Sequence, residues 1–399
     1  MKICYFVYRE DNVLVYESQV LEYLKEFKHN FPIDSTTLLL FRHHSNFNRK
    51  KDVESKATNF VDRVKSFCSL PLISILQLKI NSIRARRFVK KTFKNEEQIA
   101  VICRGELSTY IASRAFKNYK NAIILFDNRG LPVEESLLSH GKRFIHRLNR
   151  RVKRWAINKA KNSSDIYNFV TSNMRDYCIN IYNYDIKKPF TIIPTLCLHN
   201  SFDTDIAYSV AFENGIQPND LVFTYSGSLA AWQSEKELIT IVEDILSMIN
   251  NSKVFFLTKD KSQRLDLLKE EYPNRVISKS VSHSDMKYYL FLSDFGLIIR
   301  NCDIVNKVAA PTKIAEFVTY HVRTLYKGDI GIIDDLIKSG NKDCFIKIDE
   351  NKAWIGKVIE QGKKYSCATK NLVFFDMKER QNETYIAFIE AFRKKKEMF

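Results

Sequence analysis

Short apolar runs alternate with stretches of helical period along the whole chain. In the first half, residues 2–7 (KICYFV) read as a strand. Residues 18–27 then place Val20, Leu21, Leu24 and Phe27 on one helical face. Further strands are predicted at 36–41, 99–103, 122–126, 166–170 and 190–193, and helices at 73–93, 108–116, 140–161 and 174–181. The second half repeats the pattern. Its strands fall at 221–225, 253–257, 275–278, 293–299 and 321–326. Its helices fall at 235–248, 263–271, 285–291, 334–339, 352–363 and 385–395, with one more opening at Pro311. Strands alternating with helices predict parallel sheets covered on both faces, a doubly wound α/β architecture. Sheets of that kind take ligands beyond the carboxyl ends of their strands.

A chain of 399 residues is too long for one ordinary core. The expected division is an N-terminal domain over 1–195, a second over 196–380 and a terminal helix over 381–399, with the break near 194–202. A hydrophobic share of 45%, with 28 Phe, supplies two cores and argues against global disorder. No apolar run approaches the roughly 20 residues of a membrane helix. Residues 1–8 read as the first strand rather than a secretory leader, since Arg9-Glu10-Asp11-Asn12 follow directly. The eight Cys form no CxxC or Cys/His cluster, and the eight His form no HxxxH pair, so no metal is expected. Cys4, Cys103 and Cys302 read as reduced core thiols of a cytosolic protein.

Charge changes this picture. Residues 1–195 hold 35 Lys/Arg against 18 Asp/Glu, while the rest of the chain holds 28 of each. The net charge of +17 therefore belongs to the first half. It implies a polyanionic partner there: a membrane surface, a phosphorylated acceptor or nucleic acid. Two basic stretches carry it, 79–94 and 142–161. The second interleaves Arg147, Arg151 and Arg154 with Leu148, Val152 and Trp155. That suits an anionic membrane surface, and it equally suits a core helix with a solvated outer face.

Five segments could carry chemistry. In 292–320, a short strand precedes a polar loop holding Arg300, Asp303, Asn306 and Lys307, and Pro311-Thr312-Lys313 opens a helix that carries Glu316. Proline suits the first turn of a helix, and free N–H groups beside cations form a phosphate site. Many strand–loop–helix units begin this way and bind nothing. Tyr225-Ser226-Gly227-Ser228 closes a strand, and Gly227 lets backbone approach a ligand or simply makes a tight turn. Asp127-Asn128-Arg129-Gly130 ends another strand, where Asp127 could act as a base, orient a hydroxyl or cap a helix. Arg104-Gly105-Glu106 follows the strand before it, and Ser18-Gln19 opens the first helix.

Taken in order, these strings resemble the sugar-nucleotide glycosyltransferases of the GT-B fold, near glycosyltransferase family four. The donor-site pattern of those enzymes is matched by Ser293, Asp294, Gly296, Leu297, Arg300, Asn306, Pro311, Thr312, Lys313, Glu316 and Phe317. Residues 225–233 resemble their "YsGsl..Wq" segment, residues 127–135 their "D.RG…eE" segment, and Arg104-Gly105 their "RG" turn. The chain departs from them at Val308, where the first of two paired glutamates usually stands. It departs again at His321-Val322-Arg323, where Gly-Pro-Val is usual.

The resemblance implies two Rossmann-like domains facing across a cleft. Gly227, Ser228, Arg300, Asn306, Pro311, Thr312, Lys313 and Glu316 would bind the donor. Arg104, Asp127 and Arg129 would be the catalytic residues, and Arg147, Arg151, Arg154 and Trp155 would meet a membrane or acceptor. The implied reaction is retaining transfer of a sugar from a nucleotide sugar, without cofactor or metal. The implied acceptor is a glycan linked to a polyprenyl diphosphate, in capsule or O-antigen synthesis at the inner face of a bacterial membrane. Two rivals stand beside it. One is an inactive scaffold of the same fold. The other is a basic nucleic-acid-binding protein, against which stands the lack of a helix-turn-helix, zinc-finger or RNP pattern.

Overall fold

A computed structural model of the chain describes residues 1–10, 13–45, 50–70, 74–140, 144–196, 202–229, 234–363 and 375–397. The chain divides into two compact units. Residues 1–194 and 376–399 form the first, and residues 195–375 form the second.

The first unit is built on β1 (Lys2–Tyr8), β2 (Ser35–His43), β3 (Arg63–Ser69), β4 (Ile99–Arg104), β5 (Ala122–Asn128), β6 (Ile166–Phe169) and β7 (Phe190–Ile192). They lie side by side in the order β3-β2-β1-β4-β5-β6-β7, and every neighbouring pair is parallel. Parallel strands need crossovers, and helices supply them. The helices Ile75–Thr92, Glu106–Ala115 and Phe144–Ser163 bury Leu78, Ala85, Val89, Ile111, Val152 and Ala156 against Phe6, Phe41 and Val101 of the sheet. The C-terminal helix Met377–Glu397 belongs to this unit. Gln381 donates to the Tyr23 carbonyl at 2.7 Å, and the Tyr385 ring lies 4.9 Å from Phe31.

The second unit holds β8 (Leu221–Ser226), β9 (Ser252–Leu257), β10 (Val276–Lys279), β11 (Phe295–Ile299), β12 (Arg323–Lys327) and β13 (Phe345–Lys347). Their order is β10-β9-β8-β11-β12-β13, again all parallel. Both units are therefore doubly wound. The strand order reverses between β1 and β4 in one sheet and between β8 and β11 in the other, the points where such sheets place ligands.

Several elements differ from the sequence pattern. The edge strand β3 and the helices Lys50–Ala57 and Thr204–Glu213 were not predicted, because charged and polar residues interrupt their periods. The long helix expected over 140–161 instead spans Phe144–Ser163, after a separate helix Pro132–His140. Cys4 and Cys103 are buried as expected, but Cys302 is exposed in the loop after β11, between the polar residues Asn301 and Asp303. No helix among the described residues is long and apolar enough to cross a membrane.

Gly296 fixes the approach of the helix Thr312–Thr319 to β11. A Cβ at this position would stand 2.3 Å from the Phe317 ring, and Phe317 is itself fully buried. Gly296→Ala is expected to cost about 1–3 kcal/mol through overpacking. Thermal unfolding of Gly296→Ala, Phe317→Leu and the double variant checks this. The double variant should recover part of the loss, whereas additive losses would remove the packing argument.

Candidate functional site

In the second unit, the switch-point strands are tied together at their base. Val222 N–H donates to the Asp294 carboxylate at 2.9 Å, and the Thr224 and Ser293 hydroxyls hydrogen-bond to each other. All of these groups are buried. Ser293 and Asp294 thus precede β11 and brace it, rather than forming part of the strand. Above them the ladder between β8 and β11 records only Phe295 opposite Phe223 and Gly296 opposite Thr224. In the first unit, by contrast, β1 and β4 pair up to Val7 opposite Arg104.

Gly227 leaves β8 at φ 147°, a conformation that side-chain-bearing residues rarely adopt. Ser228 donates its hydroxyl to Asp260 at 2.7 Å, and Leu229 N–H reaches the same carboxylate oxygen at 2.6 Å. These two hydrogen bonds hold the Asp260 carboxyl below its ordinary range. Asp260 therefore occupies donors that an anionic ligand would need. Its role follows from the end of β9 and was missed in the sequence. Residues 230–233, including Trp232 and Gln233 of the motif, lie outside the described residues.

Arg300 leaves β11 with its amide bonded to Lys327 O at 3.0 Å. Its side chain is half-buried. Among the described residues no hydrogen bond or ion pair engages the guanidinium; its closest electrostatic neighbours are Tyr225 and Asp303. Burial lowers its pKa, and those two groups oppose the shift. Tyr225, in turn, is raised to about 12 by burial, against the pull of Arg300. So Arg300 sits beside the end of β8, a partly desolvated cation with no counter-ion bonded to it among the described residues.

Asn306 is spent within its own loop. Its side-chain amide donates to Asp303 at 2.8 Å and to Asn301 O at 3.2 Å, and its backbone N–H bonds the Asp303 carboxylate at 2.9 Å. Pro311 precedes the helix Thr312–Thr319, whose start carries no side-chain cap. Lys313 and Glu316 form an ion pair at 2.8 Å, with 22% and 13% of their side chains exposed. His321 sits at φ 57°, the left-handed region a glycine adopts without strain. His321 therefore stands in a backbone conformation usual for glycine.

In the first unit, Asp127 is fully engaged. Its carboxylate accepts from Arg129 Nε at 2.8 Å and from Asn168 Nδ2 at 2.7 Å. Burial works against the Arg129 charge, but Asp127 and Tyr5 raise its pKa on balance. Arg104 Nε pairs with Glu10 at 3.1 Å. Arg104, Arg129 and Glu10 border a cavity of about 290 Å³ beyond β1, β4 and β5, lined also by Glu106, Asn128, Glu135, Tyr182 and Tyr184. Burial raises the carboxyl pKa of both Glu106 and Glu135, with Lys153 opposing each shift. In the sequence both glutamates stand within the motif strings at 104–106 and 127–135, without a role of their own. The available signal was the carboxylate placed directly after Arg104-Gly105, at a helix start.

The exposed residues of the basic helix include Arg147, Arg151 and Arg154. Trp155 turns inward, its ring 4.7 Å from that of Tyr110. Among the described residues no cluster of His, Cys, Asp or Glu could hold a metal ion.

No protein-family model matches the chain, and no curated protein matches it in sequence. Solved structures do match. HepE from Anabaena, solved with UDP and glucose, is 14% identical with a TM-score of 0.66, covering 98% of this chain and 100% of that one. Sucrose-phosphate synthase from Thermosynechococcus elongatus is 12% identical with a TM-score of 0.60, covering 100% and 99%. A putative UDP-N-acetylglucosamine 2-epimerase from Listeria monocytogenes is 10% identical with a TM-score of 0.55, covering 99% and 97%. The chain has the GT-B fold of these structures. The fold alone does not choose between their chemistries.

Glu106 allows a test of the cavity's electrostatics. The folded state holds its proton at pH values where the unfolded chain, near 4.5, has released it. Stability from this group therefore falls as pH rises through that value. Glu106→Gln removes the loss, so its melting temperature relative to wild type should climb from acid to neutral pH. A difference that stays constant across that range would contradict the assignment.

Proposed function

We propose that this protein is a glycosyltransferase, of the kind grouped in glycosyltransferase family four. Its second unit binds a nucleotide sugar and its first unit the acceptor. The observation that carries this reading is Arg300, a half-buried guanidinium with no hydrogen bond among the described residues, at the switch point of the second sheet. A cation already partly stripped of water interacts strongly with an arriving diphosphate. The uncapped helix start at Pro311–Thr312 adds N–H groups, and Lys313 adds a second cation. Donor binding would draw Lys313 toward phosphate and release Glu316 to accept the hydroxyl pair of the ribose. HepE was solved with UDP and glucose, and with UDP-glucose, which fits a uridine nucleotide as donor.

In the proposed reaction the acceptor oxygen replaces the diphosphate at the anomeric carbon, with retention of configuration. The leaving charge is carried by protein cations and backbone dipoles, and no metal cofactor is invoked. The acceptor is a glycan on a polyprenyl diphosphate, serving bacterial capsule or O-antigen synthesis. The excess charge of the first half suits both that diphosphate and the anionic inner face of the membrane, where the protein would bind peripherally from the cytoplasm. Nucleic acid is not a partner in this reading.

A thermal-shift screen against UDP, GDP, CDP and ADP, with their common sugars, tests the donor site. A ligand at 100 times its Kd should stabilise the fold by about 2.7 kcal/mol. One nucleotide class should produce the shift, and Arg300→Gln and Glu316→Ala should each abolish most of it. No shift with any nucleotide, or an equal shift in both variants, would overturn the assignment.

A further inference from the structure

The helix Ile75–Thr92 contains no Asp or Glu. Its inner face buries Leu78, Asn81, Ser82, Ala85 and Val89. Every exposed residue from 75 to 91 is Ile, Leu, Lys or Arg. Leu76, Ile80 and Ile83 stand at spacings of four and three, so they form one stripe, with exposures of 69%, 41% and 53%. Leu70, just upstream, is 62% exposed. Lys79, Arg84, Arg87, Lys90 and Lys91 are the exposed cations around the stripe.

Cations alone would suit any polyanion. The apolar stripe narrows the choice. A phosphodiester backbone offers nothing to Leu76, Ile80 and Ile83, whereas a bilayer offers headgroup phosphates beside an acyl boundary. We propose that the outward face of this helix docks on an anionic lipid surface, with the stripe entering the acyl boundary and the cations meeting the headgroups. This rests on the peripheral-membrane reading above and assigns the contact to Ile75–Thr92. The helix Phe144–Ser163 exposes Leu148 but turns its tryptophan inward.

Vesicle co-sedimentation of the full chain tests the assignment, using phosphatidylcholine with and without phosphatidylglycerol. Wild type should bind only the anionic vesicles, and less at high salt. Leu76→Ser/Ile80→Ser/Ile83→Ser should weaken binding by about tenfold or more. The substitutions lie on the solvent face, and a circular-dichroism melt checks that the fold is intact. If wild type ignores anionic vesicles, the membrane reading itself falls. If wild type binds and the triple variant binds equally well, the membrane reading survives and this assignment is overturned. A triple variant that keeps its vesicle binding but loses self-association in sedimentation would make the stripe a contact between copies. Binding to an oligonucleotide that displaces vesicles and is indifferent to the stripe would make the face a nucleic-acid surface. Either result overturns the proposal.

Discussion

The geometry of the second unit depends on the buried polar stitch at the foot of β8 and β11. Asp294 accepts from Val222 N–H, and Ser293 and Thr224 share a hydrogen bond, so the two strands are locked in register where they enter the sheet. Breaking such a buried network costs far more than an exposed hydrogen bond would, because its groups would be left unpaired. The stitch holds the base while the ladder lapses above Gly296 and Thr224. Gly227 and Arg300 leave the sheet at that open end. The motif that reads as a ligand signature in sequence thus has two physical parts. Ser293 and Asp294 hold the frame, and Arg300 with the Thr312–Thr319 helix start presents charge.

Charge is handled differently in the two units. In the first, the predicted catalytic residues are already paired: Asp127 with Arg129 and Asn168, and Arg104 with Glu10. Through Asn168 the Asp127 carboxylate ties β5 to β6. The same cavity is lined by Arg104 and Arg129 and by Glu106 and Glu135, whose carboxyl pKa burial raises. In the second unit the order is reversed. Arg300 has no bonded counter-ion among the described residues, while Asn306 and Asp303 are consumed in bracing their loop.

The fold was legible in the sequence wherever burial is two-sided. β1, β4, β5, β8 and β11 are continuous apolar runs because parallel strands inside such sheets meet helices on both faces. β3 was not legible, since an edge strand tolerates Arg63 and Lys65 among its apolar residues. Among the candidate residues, Arg300, Lys313 and Glu316 could be singled out because a local motif carries them. Asp260 could not, since its partners Ser228 and Leu229 are set by folding rather than by spacing, and Glu106 and Glu135 appear only inside motif strings. The inward turn of Trp155 was hidden for the same reason: a period places a residue on a face, but the packing of Tyr110 decides which way that face looks.

The most direct test of the central claim, that the open end of β8 and β11 receives a nucleotide diphosphate, is a crystal structure of the full chain with the nucleotide that stabilises it. Diphosphate oxygens should lie within hydrogen-bonding reach of the Arg300 guanidinium and the Thr312–Lys313 amides, with the ribose at Glu316. A nucleotide bound elsewhere, such as in the cavity lined by Glu106 and Glu135, with Arg300 untouched, would contradict it.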